Sequence, residues 1–172
     1  LSVRKTFPNS RKEMSGVNWG ELYNEFKDKK FNSEILVFDP TPVAKKTMSK
    51  KKKVPLKYFP VGLSKNSGTI KLSTPKTCDC YYLGEGNEYE EFKCKSVSEI
   101  AKGRVVELLK MDIEGSEYGV IEDILENKVK INQIILEFHH WIKGQSLLNT
   151  INAIRSLRKA GYVLLYKNID DY

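Results

Sequence analysis

Three cysteines, two histidines and two tryptophans are the scarce residues of this 172-residue chain, and their scarcity narrows its chemistry. Cys78 and Cys80 lie too close along an extended segment for an easy mutual bridge, and Cys94 is left over. Structural zinc sites usually pair their cysteines as Cys-x-x-Cys, so reduced structural thiols are expected and no metal is assigned. No apolar run approaches the roughly 20 residues that cross a bilayer, and the opening residues lack the apolar centre of a signal peptide. A cytoplasmic location is the default. Internal repeats, low-complexity tracts and interdomain linkers are also missing. What is present, 40% hydrophobic and 30% charged residues with nine tyrosines, suits one globular domain over residues 1–172. Within it, residues 1–17 form an irregular N-terminal segment without apolar pattern.

The net charge of +7 raises the question of an anionic partner. Much of it sits in Lys45, Lys46, Lys50, Lys51, Lys52 and Lys53. One reading is a contact for phosphate or an acidic surface. The cluster lacks interleaved aromatics for base stacking and matches no nucleic-acid motif. A solvated helix end and loop is the preferred reading, and nucleic acid is not an expected partner.

Periodicity places the elements. Asn18-Trp19-Gly20-Glu21 reads as a capping box before a helix with Leu22, Tyr23 and Phe26 on its apolar face. Ile35-Leu36-Val37-Phe38 is a continuous apolar run, as in a strand covered on both faces, and a lysine-rich helix follows Asp39-Pro40-Thr41-Pro42. Residues 58–63 read as a strand and its exit, and Asn66-Ser67-Gly68 turns the chain into Thr69-Ile70-Lys71-Leu72 as a hairpin. In the irregular stretch 74–96, residues 80–83 and 90–95 pair around Gly84-Glu85-Gly86-Asn87. A short helix over 98–102, a buried strand over 105–111 and an amphipathic helix through Val120, Ile121, Ile124 and Leu125 come next. Ile134-Ile135-Leu136-Glu137-Phe138 is another strand. Ser146 caps a longer helix with the stripe Leu147, Leu148, Ile151, Ile154 and Leu157, Gly161 stops it, and residues 162–166 form a last strand.

Strand and helix alternate from Ile35 onward, which argues for a layered α/β domain with a mostly parallel sheet. Ligands of such sheets sit outside the carboxyl ends of the strands. Asp39 stands at one such end, where a carboxylate can accept hydrogen bonds from the vicinal hydroxyls of a ribose. An Asp before Pro is also a common turn former, and both readings stand. Asp112-Ile113-Glu114-Gly115-Ser116-Glu117 leaves a buried strand and enters a helix. Its three carboxylates are costly to crowd unless solvent, a cation or a positive ligand offsets them. Glu117 in the first helical turn complements the helix dipole and is assigned to structure, whereas Asp112 and Glu114 are assigned to function. The chain's only histidines follow the next strand, in Glu137-Phe138-His139-His140-Trp141. Adjacent side chains on a strand face opposite ways, so at most one imidazole points into the cleft. A histidine there suits a general base, and a metal held by Asp112, Glu114 and His139 is a minor option.

At these segments the sequence resembles the FkbM family of methyltransferases. Four pieces carry the resemblance, in the family's order: Val37-Phe38-Asp39-Pro40-Thr41-Pro42, Val61-Gly62-Leu63-Ser64 with Gly68, Leu109-Lys110-Met111-Asp112-Ile113-Glu114-Gly115-Ser116-Glu117, and Ile134-Ile135-Leu136-Glu137-Phe138-His139-His140. The resemblance implies a Rossmann-like class I methyltransferase sandwich that binds S-adenosylmethionine and methylates a hydroxyl oxygen of a sugar or small metabolite. By that likeness Asp39, with Pro40 beside it, binds the cofactor ribose. Gly62 and Leu63 lie near the adenine, and Asp112 lies near the transfer centre, with Glu114 and His139 as further catalytic candidates.

One departure concerns the cofactor's methionine end. The family carries a first strand and a glycine-rich turn before the segment matching Asp39, whereas this sequence offers Ser15-Gly16-Val17-Asn18-Trp19-Gly20 with no apolar strand ahead of it. The sheet is therefore expected to lack its first and last strands, as in a fragment or trimmed chain. The alternative is a non-catalytic Rossmann-like binding module that has lost its cofactor turn. A third reading makes the lysine cluster an anion-binding surface. The expected partner is a small-molecule or glycan acceptor, and residues 74–96 are the candidate substrate-side insertion.

Overall fold

In the computed structural model, which describes residues 34–50, 56–73, 81–83 and 88–165, strands and helices alternate in a mixed α/β arrangement. The elements are β1 (Ile35–Phe38), α1 (Pro42–Lys50), β2 (Leu56–Phe59), β3 (Gly62–Leu63), β4 (Gly68–Ser73), β5 (Tyr82–Leu83) and β6 (Tyr89–Lys95), followed by α2 (Val97–Ala101), β7 (Val106–Met111), α3 (Glu117–Glu126), β8 (Ile131–Leu136) and α4 (Leu147–Lys159). The capping box at Asn18, Cys78, Cys80, Lys51, Lys52, Lys53 and Tyr166 lie outside the described residues. No helix among the described residues is long and apolar enough to cross a membrane.

The described strands do not form the single, mostly parallel sheet that was expected; they fall into three separate sheets. β1 pairs parallel with β2 and β7 pairs parallel with β8, while β3, β6, β4 and β5 form a sheet in that order. Within the latter, β3 and β6 run parallel, but β4 is antiparallel to both of its neighbours. The two pairings expected from the turn signals are thereby corrected. Asn66-Ser67-Gly68 does turn the chain, yet β3 and β4 do not meet, because β6 lies between them and pairs with both. Similarly, β5 and β6 pair not with each other but on opposite sides of β4. Local turn chemistry predicts where a chain reverses, and the six-residue-pair β4–β6 ladder decides which strand it meets.

The core gathers on β7, β8 and the helices beside them. Met111, Val120, Ile121, Ile124, Ile131, Ile134, Leu136, Ala153 and Leu157 form one buried cluster with Leu63 and Val97. The strand through residues 134–136 begins three residues earlier than expected, since Ile131 pairs with Val106 at the far end of β7. It also ends earlier: Glu137 N–H donates to Met111 O at 3.1 Å, and the chain then turns so that Ile142 N–H reaches His139 O.

Ser146 caps α4 as expected, its Oγ accepting from Asn149 N–H. The buried face of α4 is a different one, however. Leu157 is 1% exposed but Leu147 and Leu148 are 58% and 61% exposed. The face against the core is Thr150, Ala153 and Leu157, an i, i+3, i+7 stripe. Small residues let α4 approach α3, and Tyr118 and Thr150 share a 2.9 Å hydrogen bond between the two helices. The last expected strand is absent over residues 162–165, where Val163 and Leu165 are exposed. Tyr162 is instead docked by its hydroxyl, which donates to Ile131 O at 3.0 Å.

The two faces of α4 separate in a mutational test. Leu157→Ala should lower the unfolding free energy by about 2–5 kcal/mol, as for other buried leucines. Leu148→Ala should shift it by less than about 0.5 kcal/mol, as at a surface position. Urea unfolding followed by circular dichroism measures both, and equal losses would show that the apolar stripe read from the sequence packs after all.

Candidate active site

β7 delivers Asp112 to the carboxyl end of its sheet, and the five residues between β7 and α3 form a tight loop. The loop is wound around one side chain. Glu117, fully buried at 0% exposure, accepts hydrogen bonds from Ile113 N–H at 3.1 Å and Gly115 N–H at 3.0 and 3.3 Å. A carboxylate taken out of water needs such donors, and here the backbone that precedes it supplies them. Winding the chain so tightly puts Glu114 at φ 51° and Gly115 at φ 102°. At Gly115 a Cβ would also lie 3.3 Å from Leu83 Cβ and 3.5 Å from Ile142 Cδ1, so both conformation and space call for glycine.

Two other segments hold the loop from outside. Leu83 N–H in β5 donates to Glu114 O at 2.8 Å, which ties the described stretch 81–83 of the 74–96 segment to the site. Gln145 Nε2 donates to Gly115 O at 3.1 Å from the chain that leaves β8. That exit also supplies His139, 3% exposed, whose Nδ1 lies 2.7 Å from Glu117 Oε1. Because Glu117 accepts, Nδ1 carries the proton, and Nε2 is turned toward the acids of the loop. Nε2 stands 3.7 Å from Asp112 Oδ1 and 3.5 Å from Glu114 Oε2.

The structure thus brings Asp112, Glu114 and His139 together. One donor atom from each falls within 4.8 Å of the others. Strand alternation does not decide which of the two adjacent histidines joins the acids, since β8 ends at Leu136; only His139 is in the cluster. His140 is not part of this cluster, and its Nδ1 is buried without a hydrogen-bond partner among the described residues. Trp141, half exposed, packs edge-on against both imidazoles.

Electrostatically the pocket is short of positive charge, in a chain whose net charge is +7. Burial pushes the Glu114 carboxyl above its ordinary range; His139 pulls it back, and the charges of Asp112, Glu117 and Glu137 push it up again. For His139, burial opposes the imidazolium, but the Glu117 hydrogen bond and the charges of Glu117, Glu114 and Asp112 prevail and hold its pKa above the ordinary value. Lys110 Nζ, 3.6 Å from Asp112 Oδ2, is the nearby side-chain cation. An environment of this kind attracts a cationic ligand.

The other predicted residues have different surroundings. Asp39 Oδ1 accepts from Thr41 N–H at 2.9 Å and Thr41 Oγ1 at 2.7 Å, so the carboxylate forms the turn that opens α1 and is held in one direction. Tyr58 hydroxyl donates to Asp39 O at 2.7 Å and locks the same turn from β2. At Gly62 a Cβ would meet Ile70 Cδ1 at 2.8 Å and Pro40 Cγ at 3.6 Å, so the residue serves close packing of β3. Leu63 is buried in the core cluster. Sequence reasoning gave Glu117 only a helix-terminal role and missed its hold on His139; the Asp-x-Glu-x-x-Glu spacing was the available signal.

A comparison with known protein families decides what this site belongs to. The family model described as the methyltransferase FkbM domain matches residues 19–164. The chain belongs to the FkbM methyltransferase family. The match spans both parallel strand pairs, the four-stranded sheet and the Glu117–His139 pocket, and membership supports methyl transfer as the general activity. No curated protein and no solved structure matches this FkbM domain.

Glu117 and Asp112 should separate by their contributions to stability. Glu117→Ala, which strips a buried imidazole and two backbone N–H groups of their acceptor, should cost about 3–5 kcal/mol. Asp112→Asn, at the open side of the pocket, should change stability by no more than about 1 kcal/mol. Chemical denaturation of the two variants checks this, and a mild effect of Glu117→Ala would deny the carboxylate its role in holding the loop.

Proposed function

We propose that this protein transfers the methyl group of S-adenosylmethionine to a hydroxyl oxygen of a sugar or small metabolite. The observation that carries the reading is the acidic pocket of Asp112, Glu114 and His139 at the carboxyl ends of β7 and β8 in a member of a methyltransferase family. The cofactor's sulfonium supplies an electrophilic methyl carbon when bound. Its positive charge complements the half-buried carboxylates of Asp112 and Glu114, which have few cations of their own.

The donor set fits the rest of the cofactor in the same way. Asp39 stands past the carboxyl end of β1, its carboxylate oriented by Thr41, and would accept the ribose hydroxyls. Pro40 packs over Gly62 and shapes the wall beside it. Gly62 and Leu63 would flank the adenine, with Leu63 contributing its main chain because its side chain fills the core. In this reading β1–β2 and β7–β8 are two parts of one Rossmann-like sheet. Methyl transfer is an in-line displacement, so what the protein contributes is chiefly position: Asp112 and Glu114 on the cofactor side, and the His139–Trp141 wall on the acceptor side. A cytoplasmic compartment, where this cofactor is made available, accompanies the proposal.

Calorimetry of the full-length protein with S-adenosylhomocysteine tests it. Binding is expected with one site per chain, and Asp39→Ala should weaken it about tenfold or more, the loss of one to two charge-assisted hydrogen bonds. Absence of both heat and thermal shift would sink the enzyme reading in favour of a non-catalytic Rossmann-like module.

A further inference from the structure

We propose that Asp112, Glu114 and His139 form a binding site for one divalent metal ion, with Glu117 as the positioning residue behind it. The argument begins with spacing. Donor atoms about 2.0–2.2 Å from a shared ion stand roughly 3–4 Å from one another. His139 Nε2 stands 3.5 Å from Glu114 Oε2 and 3.7 Å from Asp112 Oδ1, the spacing of donors to a shared ion, and the two acids offer donor atoms within 4.8 Å of one another. These separations exceed the roughly 3.2 Å reach of a good N–H···O hydrogen bond, so Nε2 is hydrogen-bonded to neither acid and meets both only as long ion-pair contacts.

Orientation is the second and independent argument. His139 is 3% exposed, and its Nδ1 is held 2.7 Å from a carboxylate that is itself fully buried. An imidazole whose Nδ1–H is committed to a carboxylate presents the lone pair of Nε2 in a fixed direction, the arrangement found behind most metal-ligating histidines. Here that direction is the space between Asp112 and Glu114. The pocket opens to solvent on the acid side, where the Asp112 and Glu114 side chains are 25% and 39% exposed. Three protein donors and an open side leave coordination positions for water or for acceptor oxygens.

Two carboxylate oxygens and one imidazole nitrogen suit a borderline-hard divalent ion such as Mn²⁺. Its role rests on the methyl-transfer reading proposed above, whereas the site itself does not. An ion there would draw the acceptor hydroxyl into the pocket and favour release of its proton to solvent. The oxygen–carbon bond then forms as the carbon–sulfur bond breaks, with the electron pair leaving on sulfur.

Titration of the full-length protein with Mn²⁺, read by the paramagnetic resonance of the free ion, tests the site. One ion per chain is expected, and Glu114→Gln and Asp112→Asn should each weaken binding about tenfold or more. Glu117→Gln should weaken it by about 10–100-fold, as expected for a residue behind a ligand. A nitrogen coupling from imidazole should appear in the bound-ion spectrum and vanish in His139→Gln. Thermal melts with Mn²⁺ and after chelation supply a readout that does not depend on any variant folding well. No bound Mn²⁺ at millimolar concentration, or binding untouched by Glu114→Gln and Asp112→Asn, would overturn the site. S-adenosylhomocysteine calorimetry in chelator keeps the two proposals apart. Cofactor heat without Mn²⁺ binding removes only the metal, and Mn²⁺ binding without cofactor heat upholds the metal site and removes only the transfer reading.

Discussion

The contact between Glu117 and His139 is the constraint on which the rest of the site depends. Neither group can be buried alone without a large desolvation cost, and each repays part of the other's. Their 2.7 Å contact joins the first turn of α3 to the exit of β8. The remaining lone pairs of Glu117 go to the backbone of residues 113 and 115, so one side chain fixes a loop, a helix start and an imidazole at once. The left-handed backbone of Glu114 and the glycine at 115 follow from that winding. A loop held this way has little freedom to relax, which suits a site that must hold reacting groups to a fraction of an ångström.

A second buried acid on the same helix does comparable work at the other end. Asp123, 1% exposed, accepts from Ser98 N–H at 2.9 Å and from Asn127 Nδ2 at 3.0 Å. It therefore binds α3 to the start of α2, while Ser96 caps α2 from its own side. Between the two acids Val120 and Ile121, and just past them Ile124, fill the core against β7 and β8. The apolar face gives α3 its depth, and the two carboxylates give it register along its axis. Tyr118, bonded to Thr150 and stacked on Phe138, extends the same fixing to α4 and to the residue before His139.

What could be read in the sequence was whatever depends on local pattern. The apolar runs of β1 and β7, the caps at Ser146 and the αL stop after α4 are decided within a few residues, and they were legible. Strand partnership was not, because the pairing of β4 with β6 rather than β3 depends on which ladder is longest and not on the turn that precedes it. The face of α4 was misjudged for a related reason. Hydrophobicity favoured Leu147, Leu148 and Ile151, but close approach to α3 selected Thr150 and Ala153. In the site, strand ends picked out residues 112–117 and 137–141 along with Asp39 and Gly62, and the grouping of Asp112 and Glu114 with His139 was legible only as one option among these. Glu117 was rightly assigned to structure, but its hold on His139 was not legible, because a helix-terminal acid is usually solvated and the Asp-x-Glu-x-x-Glu spacing alone does not show which strand exit the loop will meet.

The pocket also explains why acidic crowding persists in a basic chain. Surface lysines are screened over about 10 Å at ordinary salt, so a net charge of +7 offers little to carboxylates held in a buried loop. Lys110 reaches Asp112 only at 3.6 Å, and His139 is already engaged by Glu117. Glu114 is left with its carboxyl raised by burial and by three neighbouring acids. A fold under pressure only for stability could relieve this with one amide in place of an acid. On the readings proposed above, Asp112 and Glu114 are held together against that pressure, with the imidazole edge aimed between them, to receive positive charge. The sulfonium of a methyl donor and a divalent ion both answer that description.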